Sequence, residues 1–227
     1  KTDEQKIKYM DKVCEEVFQP FIDQTYQKLA DYMNAYSQKM IMKREVLADK
    51  GIWTAKKRYI LNVHNSEGVQ YAKPKLKVMG LEMVKSSTPA VIRDKLKDSI
   101  EVILKGNQAD LHSYIEKFRE EFNQMPIEDI AFPRGVNGMR TYSGSPIYTK
   151  GTPIHVRGSL LYNHYVKKLG LEKKYQLIKE GEKIKFVYVR KPNPFQEDVI
   201  AFPQSLPKEF SLHDFIDYDL QFEKTFL

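Results

Sequence analysis

Hydrophobic positions recur every three or four residues at Ile7, Met10, Cys14, Val17 and Phe18, the period of an amphipathic helix, which predicts helix over residues 4 to 19. Pro20 has no N–H to give and is expected to close that helix while suiting the first turn of the next. On the second helix Phe21, Ile22, Tyr26, Leu29, Met33 and Tyr36 keep the spacing to about residue 38. From Asp49 to Gly51 onward the period falls to two. "KRYILNVHN", a turn at "NSEG" where Gly68 can take a positive φ, then "VQYA" and "KLKVMG" predict a small antiparallel meander. "SSTP" offers Ser87 or Thr88 as N-cap with Pro89 at the first helical position, for a helix ending at Gly106. Another helix is predicted over about Gln108 to Gln124, stopped by Pro126. The glycine- and proline-rich run from Phe132 to Thr152 reads as a long irregular loop, the kind that carries function or moves. "PIHVRGSLLYNHYVKKLGL" returns to helix, "EKIKFVYVRK" is a strand, and "SLHDFIDYDLQFEKTF" is a closing helix. The predicted class is α+β: a helical pair and a small antiparallel sheet, followed by a mostly helical region, with no internal repeat.

Composition supports a folded chain. At 227 residues, 41% hydrophobic and 12% aromatic, it can bury a core as one large domain or two smaller ones. No apolar run approaches the roughly 18 residues a membrane span needs, and "KTDEQKIKYM" lacks the apolar stretch of a signal peptide. A soluble, cytoplasmic protein without membrane contact is expected. Cys14 is the sole cysteine, which excludes an internal disulfide, and the five histidines are scattered, so no structural metal is expected. The start at Lys1 rather than at methionine suggests an excerpt from something longer.

The net charge of +7 is unevenly spread. Residues 1 to 50 are neutral, 51 to 99 carry +6, 100 to 132 carry −4, 133 to 191 carry +10 and 192 to 227 carry −5. Two basic segments separated by acidic ones point to positive surfaces that converge on a polyanion. A single block would read as a solvated face; two, with aromatics interleaved, favour nucleic acid.

In the first block, Lys56, Lys57, Arg58 and Tyr59 lead into a strand, so alternation puts Lys57 and Tyr59 on one face and Lys56 and Arg58 on the other. Lys73, Lys75 and Lys77 share a face at a spacing of two, although alternating lysines also serve simply to protect a sheet edge. In the second block, Arg134, Arg140, Lys150, His155, Arg157, Lys167 and Lys168 surround Gly135, Gly138, Gly144, Gly151 and Gly158, which would let backbone amides approach phosphates. His155 reads equally well as a helix-terminal residue satisfied locally. Trp53 and Tyr162 read as packing residues. No residue is a credible nucleophile or general base.

"TAKKRYILNV" and "KPKLKVMGLEMVKSSTP" resemble the segment that follows the catalytic palm in family B DNA polymerases of the tailed-bacteriophage replicative type. The resemblance implies that Lys56, Lys57, Arg58 and Tyr59 contact the primer-template. It implies also that Lys75, Lys77, Gly80, Ser86 and Ser87 lie along the primer where palm passes into thumb. "IAFPRGVNG" and "PIHVRGSLLYN", with Arg134, His155, Arg157 and Gly158, resemble the thumb that wraps the minor-groove side of new duplex. Residues 1 to 80 would then be the C-terminal part of a palm and 81 to 227 a thumb. The implied role is to grip double-stranded primer-template DNA during replication in the cytoplasm of an infected bacterial host. The implied partners are the remaining palm, fingers and exonuclease portions, on the same or a separate chain.

Polymerases of that family move nucleotides with two metal ions held by palm aspartates, and the hairpin that carries them is absent. Asp217-Tyr218-Asp219 lies in a stretch that favours helix, where residues two apart do not face each other. No cofactor is expected on this chain, Mg²⁺ belongs to the complete polymerase, and the chain alone should be inactive. An excerpt and a separately encoded subunit both fit, and in the second case residues 4 to 38 should expose apolar area when alone. The alternative is a stand-alone nucleic-acid-binding protein with no polymerase partner; a purely structural module is disfavoured by the basic blocks.

Overall fold

Thr2 opens the first helix with a capping box: its hydroxyl accepts from the Gln5 amide at 3.3 Å while the Gln5 side chain accepts from the Thr2 amide at 3.1 Å. In the computed structural model, which describes residues 2–227, α1 (Asp3–Val13) runs through a π-helical stretch at Cys14–Phe18 straight into α2 (Gln19–Tyr32). Pro20 therefore does not end a helix. It stands in the first turn of α2, just after the Gln19 amide has bonded back to the Cys14 carbonyl five residues away. The widened turn absorbs the missing N–H and the ring's clash with the preceding turn, which an unbroken α-helix could not.

The chain divides into two units, one ending at Leu81 and the other running from Glu82 to Leu227. In the first, β1 (Val46–Ala55), β2 (Arg58–Ser66) and β3 (Val69–Met79) form an antiparallel meander with β2 in the centre. "VQYA" and "KLKVMG" are parts of one strand. Pro74 is tolerated inside it because β3 lies at the edge, where one side of the backbone needs no partner. The central strand buries Ile60, Leu61, Val63 and Asn65. Asn65 is satisfied: its carbonyl accepts from Arg44 Nη1 at 3.0 Å and from the Gly68 amide at 3.1 Å, and its amide donates to Asp11 Oδ2 at 3.3 Å. Because Asp11 also bonds Arg44, this one buried polar group ties helix, strand and turn together.

This unit covers its helices poorly. Of the apolar side chains on α1, the π-helical stretch and α2, only Ile7 and Ala30 are buried; Val17, Phe18, Phe21, Leu29 and Tyr32 are exposed.

The second unit holds the main core. Pro89 is the N-cap of α3 (Ala90–Lys105), one residue later than the pattern predicts, and Thr88 is buried with its amide bonded to the Lys85 carbonyl at 3.2 Å. Asn107 caps α4 (Gln108–Phe122) in a second capping box, with Asp110 as its counterpart. After α5 (Ile127–Ile130) come β4 (Phe132–Gly135), α6 (Met139–Tyr142), α7 (Ile154–Lys168), β5 (Lys183–Tyr188), β6 (Val199–Phe202) and α8 (Tyr218–Thr225). The strands make an antiparallel sheet with β5 in the centre. The stretch expected to be irregular thus contains a strand and a helical turn, and the region is less purely helical than the pattern suggests. Val156, Leu161, Tyr162 and Val166 of α7 pack with all four residues of β6, and Phe118 and Phe122 of α4 meet Phe222 of α8 edge-on or tilted. No helix among the described residues is long and apolar enough to cross a membrane.

Candidate nucleic-acid interface

Strand β1 pairs Ala55 with Arg58 of β2, which leaves Lys56 and Lys57 as a two-residue turn. Of the two, Lys57 alone takes a positive φ, 63°, the left-handed residue that closes a bulged hairpin and a conformation that a lysine holds at some cost. The pair therefore does not alternate along a strand as the sequence suggests: both side chains project from the turn, exposed, and of Lys57 and Tyr59 only Tyr59 lies on a strand. Arg58 is half-buried on the opposite face.

Gly80 explains how that turn is held. It lies at φ +67°, and a methyl group in place of its hydrogen would stand 2.4 Å from the Lys57 carbonyl oxygen. The backbone of the basic turn runs directly against the backbone at Gly80, so residues 23 apart in sequence share one small site.

Of the lysines on β3, Lys77 is paired with Leu61 and Lys75 with Val63, on the face that carries Tyr59. Lys77 bonds Glu45, and that carboxylate holds its ammonium above the ordinary lysine range. Lys75 lies 4.5 Å from the centre of the Tyr71 ring. Lys56 and Lys57 have no ion pair among the described residues.

In the second unit, Arg134 reaches from β4 to the Ser87 carbonyl at 3.4 Å. His155 stands in the first turn of α7, and burial first, then the Arg134 charge, pushes its imidazole below the ordinary value. Arg134, His155 and Ser87 are thus neighbours, while Ser86 is exposed ahead of α3. Arg157 bonds Asp198 and lies 5.8 Å from the centre of the Tyr148 ring; the Tyr148 hydroxyl in turn donates to Glu197 at 3.0 Å. Its guanidinium is engaged within the chain.

Gly158 is placed differently from the expectation. It is buried, and a side chain there would meet the Ala201 amide nitrogen at 2.9 Å and the Ala201 methyl at 3.1 Å. The missing side chain makes room for β6, and the backbone at this position is closed to a phosphate. Tyr162 is buried too, with burial raising its phenol to about 12, and its hydroxyl donates to the Gln176 carbonyl at 3.3 Å. Trp53, read from sequence as a packing residue, is exposed on the same face as Tyr59. The overlooked signal is Gly51 two residues earlier, which leaves that strand face bare beside the indole.

Asp217 is not a ligand candidate: its carboxylate accepts from the Leu220 amide at 3.0 Å as the N-cap of α8, and Asp219 sits in the first turn of that helix, 3.9 Å from Arg119. Among the described residues no group of three His, Cys, Asp or Glu side chains is placed to hold a metal ion.

Among known proteins, the chain is 34% identical over 97% of its length to the DNA-directed DNA polymerase of Enterobacteria phage T4. It is 38% identical over 97% of its length to the DNA-directed DNA polymerase of Escherichia phage RB69. It spans 26% of the length of each. No protein-family model matches it. The chain is similar to part of each of these phage DNA-directed DNA polymerases.

Proposed function

We propose that this chain is the end of the palm together with the thumb of a family B DNA-directed DNA polymerase, and that it grips primer-template duplex through the sugar-phosphate backbone and minor groove. The observation that carries this reading is the Lys56–Lys57 turn, exposed, without an ion pair among the described residues, and braced against Gly80. Two free ammonium groups on this turn can meet phosphates without first breaking an ion pair, and Tyr59 beside them can donate to a sugar or phosphate oxygen. Lys77 can join once Glu45 is displaced, a small cost for a partly exposed pair. Such contacts fix register on a duplex without reading sequence, which is what a polymerase needs behind its active site.

Nucleotidyl transfer itself belongs to other parts of the polymerase. The remaining palm, fingers and exonuclease portions are the partners this reading implies, and Mg²⁺ would be held there.

The test is titration of labelled primer-template with the chain at several salt concentrations. Each neutralised phosphate releases counterions, so the log-log slope should be about −0.9 per contact. Lys57→Ala should remove about one unit of that slope and cost about 1.5–3 kcal/mol, while a solvated bystander would cost under about 0.5 kcal/mol. Tyr59→Phe should weaken binding at an unchanged slope. A flat salt response would overturn the reading, and primer extension by the chain alone would overturn the assignment of chemistry elsewhere.

A further inference from the structure

We infer that Trp53 is a DNA contact, an indole plate laid against the sugar-phosphate wall of the duplex beside the basic turn; this rests on the duplex-gripping reading above. The cross-strand register pairs Trp53 with Tyr59 and Tyr59 with Met79, so the three side chains stand in one row across the turn end of the sheet. The indole is held in place. A methyl at Gly51 would lie 2.5 Å from Trp53 Cη2 and 2.7 Å from Cζ3, so the ring lies over the bare Gly51 backbone, where a methyl would also come within 2.9 Å of Leu61 Cδ2.

Despite that support the residue is 68% exposed. With Tyr59 and the exposed Met79 in its row, the ring forms a contiguous apolar strip beside the basic turn.

Charge decides what. Lys56 and Lys57 project from the adjoining turn, and on the far strand of the same face Lys77 lies one row away and Lys75 two rows away. Lysine is depleted in the centres of protein interfaces, where its desolvation is costly. An amphipathic aromatic on β1 next to a turn whose two lysines have no ion pair among the described residues, with further lysines across the same face on β3, matches the duplex instead: phosphates for the ammonium groups, deoxyribose C–H faces for the ring, and acceptor oxygens for the indole N–H. Bases remain stacked in a duplex, so the contact is independent of sequence.

Trp53 is the chain's sole tryptophan, which makes it its own reporter. Duplex primer-template is added to the full chain at low salt while tryptophan emission and the anisotropy of a dye on the DNA are followed together. The proposal expects a saturable change in emission with the same midpoint as the anisotropy. Trp53→Ala should weaken binding by about threefold to tenfold, the loss of one modest apolar contact, with the salt slope unchanged because no charge is removed. Trp53→Phe should recover most of the affinity, and Gly51→Ala, which pushes the ring from its place, should mimic the alanine variant. Binding seen by anisotropy with emission unchanged, or Trp53→Ala equal to the parent, overturns the contact and leaves the duplex-gripping reading standing. Absence of any anisotropy change overturns both.

Discussion

Replacing Gly80 with alanine tests whether the basic turn owes its shape to the backbone it rests on. Two costs apply. At φ +67° any side chain enters the left-handed region, at about 1–2 kcal/mol. Against this, restricting the unfolded chain returns about 0.4–1 kcal/mol, so conformation alone leaves a net cost near 1 kcal/mol. The second cost is the approach of the new methyl to the Lys57 carbonyl oxygen at 2.4 Å. Because that atom is backbone, the turn must shift, at about 1–3 kcal/mol in line with overpacking elsewhere. Gly68→Ala separates the two terms, since Gly68 has φ +87° but nothing within 4 Å of an added methyl. Gly80→Ala should therefore cost about 2–4 kcal/mol and Gly68→Ala about 1 kcal/mol. Amide hydrogen exchange along β2 and β3 reads this sheet separately from the second unit. The same variants titrated with duplex DNA should show Gly80→Ala weakened, because Lys57 and Tyr59 move apart, and Gly68→Ala unchanged. Equal effects in both measurements would mean that the contact with Gly80 does not shape the turn, and would remove the physical link between Lys57 and the backbone at Gly80.

Gly158→Ala gains about 1 kcal/mol of helix propensity but drives a methyl into the Ala201 backbone at a cost of about 1–3 kcal/mol; urea unfolding should show a net loss of up to about 2 kcal/mol, and a stabilised variant would show that α7 and β6 can separate freely. Glu209, bonded by Lys174 first and then Tyr175, has its carboxyl lowered from 4.5 to about 2. A depressed carboxyl stabilises above its unfolded value and loses that contribution as pH falls. The stability gap between the parent and Glu209→Gln should therefore be full above pH 4.5 and close as pH approaches about 2; a gap independent of pH would place the effect in packing. Arg157→Ala should destabilise the second unit in thermal unfolding, by loosening the Tyr148 and Asp198 contacts, and should change the salt slope of DNA binding by less than Lys57→Ala does.

The helices with long apolar periods were legible in sequence: α3, α4 and α7 fall close to where spacing and caps put them, because their signals are local. The second sheet was not. Strand β6 is four buried residues, "VIAF", with no alternation to mark a face, and β4 is "FPRG", whose proline and glycine read as loop. Both exist because β5 offers them partners, which is information carried by residues about 50 and 15 positions away. Pro20 misled for a related reason: the rule that proline ends a helix assumes an unwidened turn before it. For the site, residue types were informative and geometry was not. "KKRY" named a basic element correctly but hid that its two lysines form the turn, and the Gly158 pattern could not say whose backbone filled the gap, a phosphate's or the protein's own.

Free and engaged cations are divided unequally between the two basic blocks. Residues 133 to 191 carry the larger excess, +10, yet Arg134 is bonded to the Ser87 carbonyl, and Arg157 is occupied by Asp198 and Tyr148. Lys174 and Lys185 are likewise bonded, to Glu209 and to the Glu128 carbonyl. Recruiting such a group to a phosphate first removes an existing bond, so its net contribution falls below that of a free ammonium, most of all for the half-buried arginines, whose vacated partners would need water. The smaller excess of residues 51 to 99, +6, contains Lys56 and Lys57 with nothing to give up. Exposed cations of the second block such as Arg140, Lys150 and Lys167 can still draw a duplex in over a Debye length of about 8 Å, but that contribution is diffuse and fades with salt. Direct phosphate contacts should therefore be made chiefly by the turn at residues 56–57 and the face beside it, despite the greater charge further along the chain, and Lys57→Ala should flatten the salt dependence more than Arg140→Ala does.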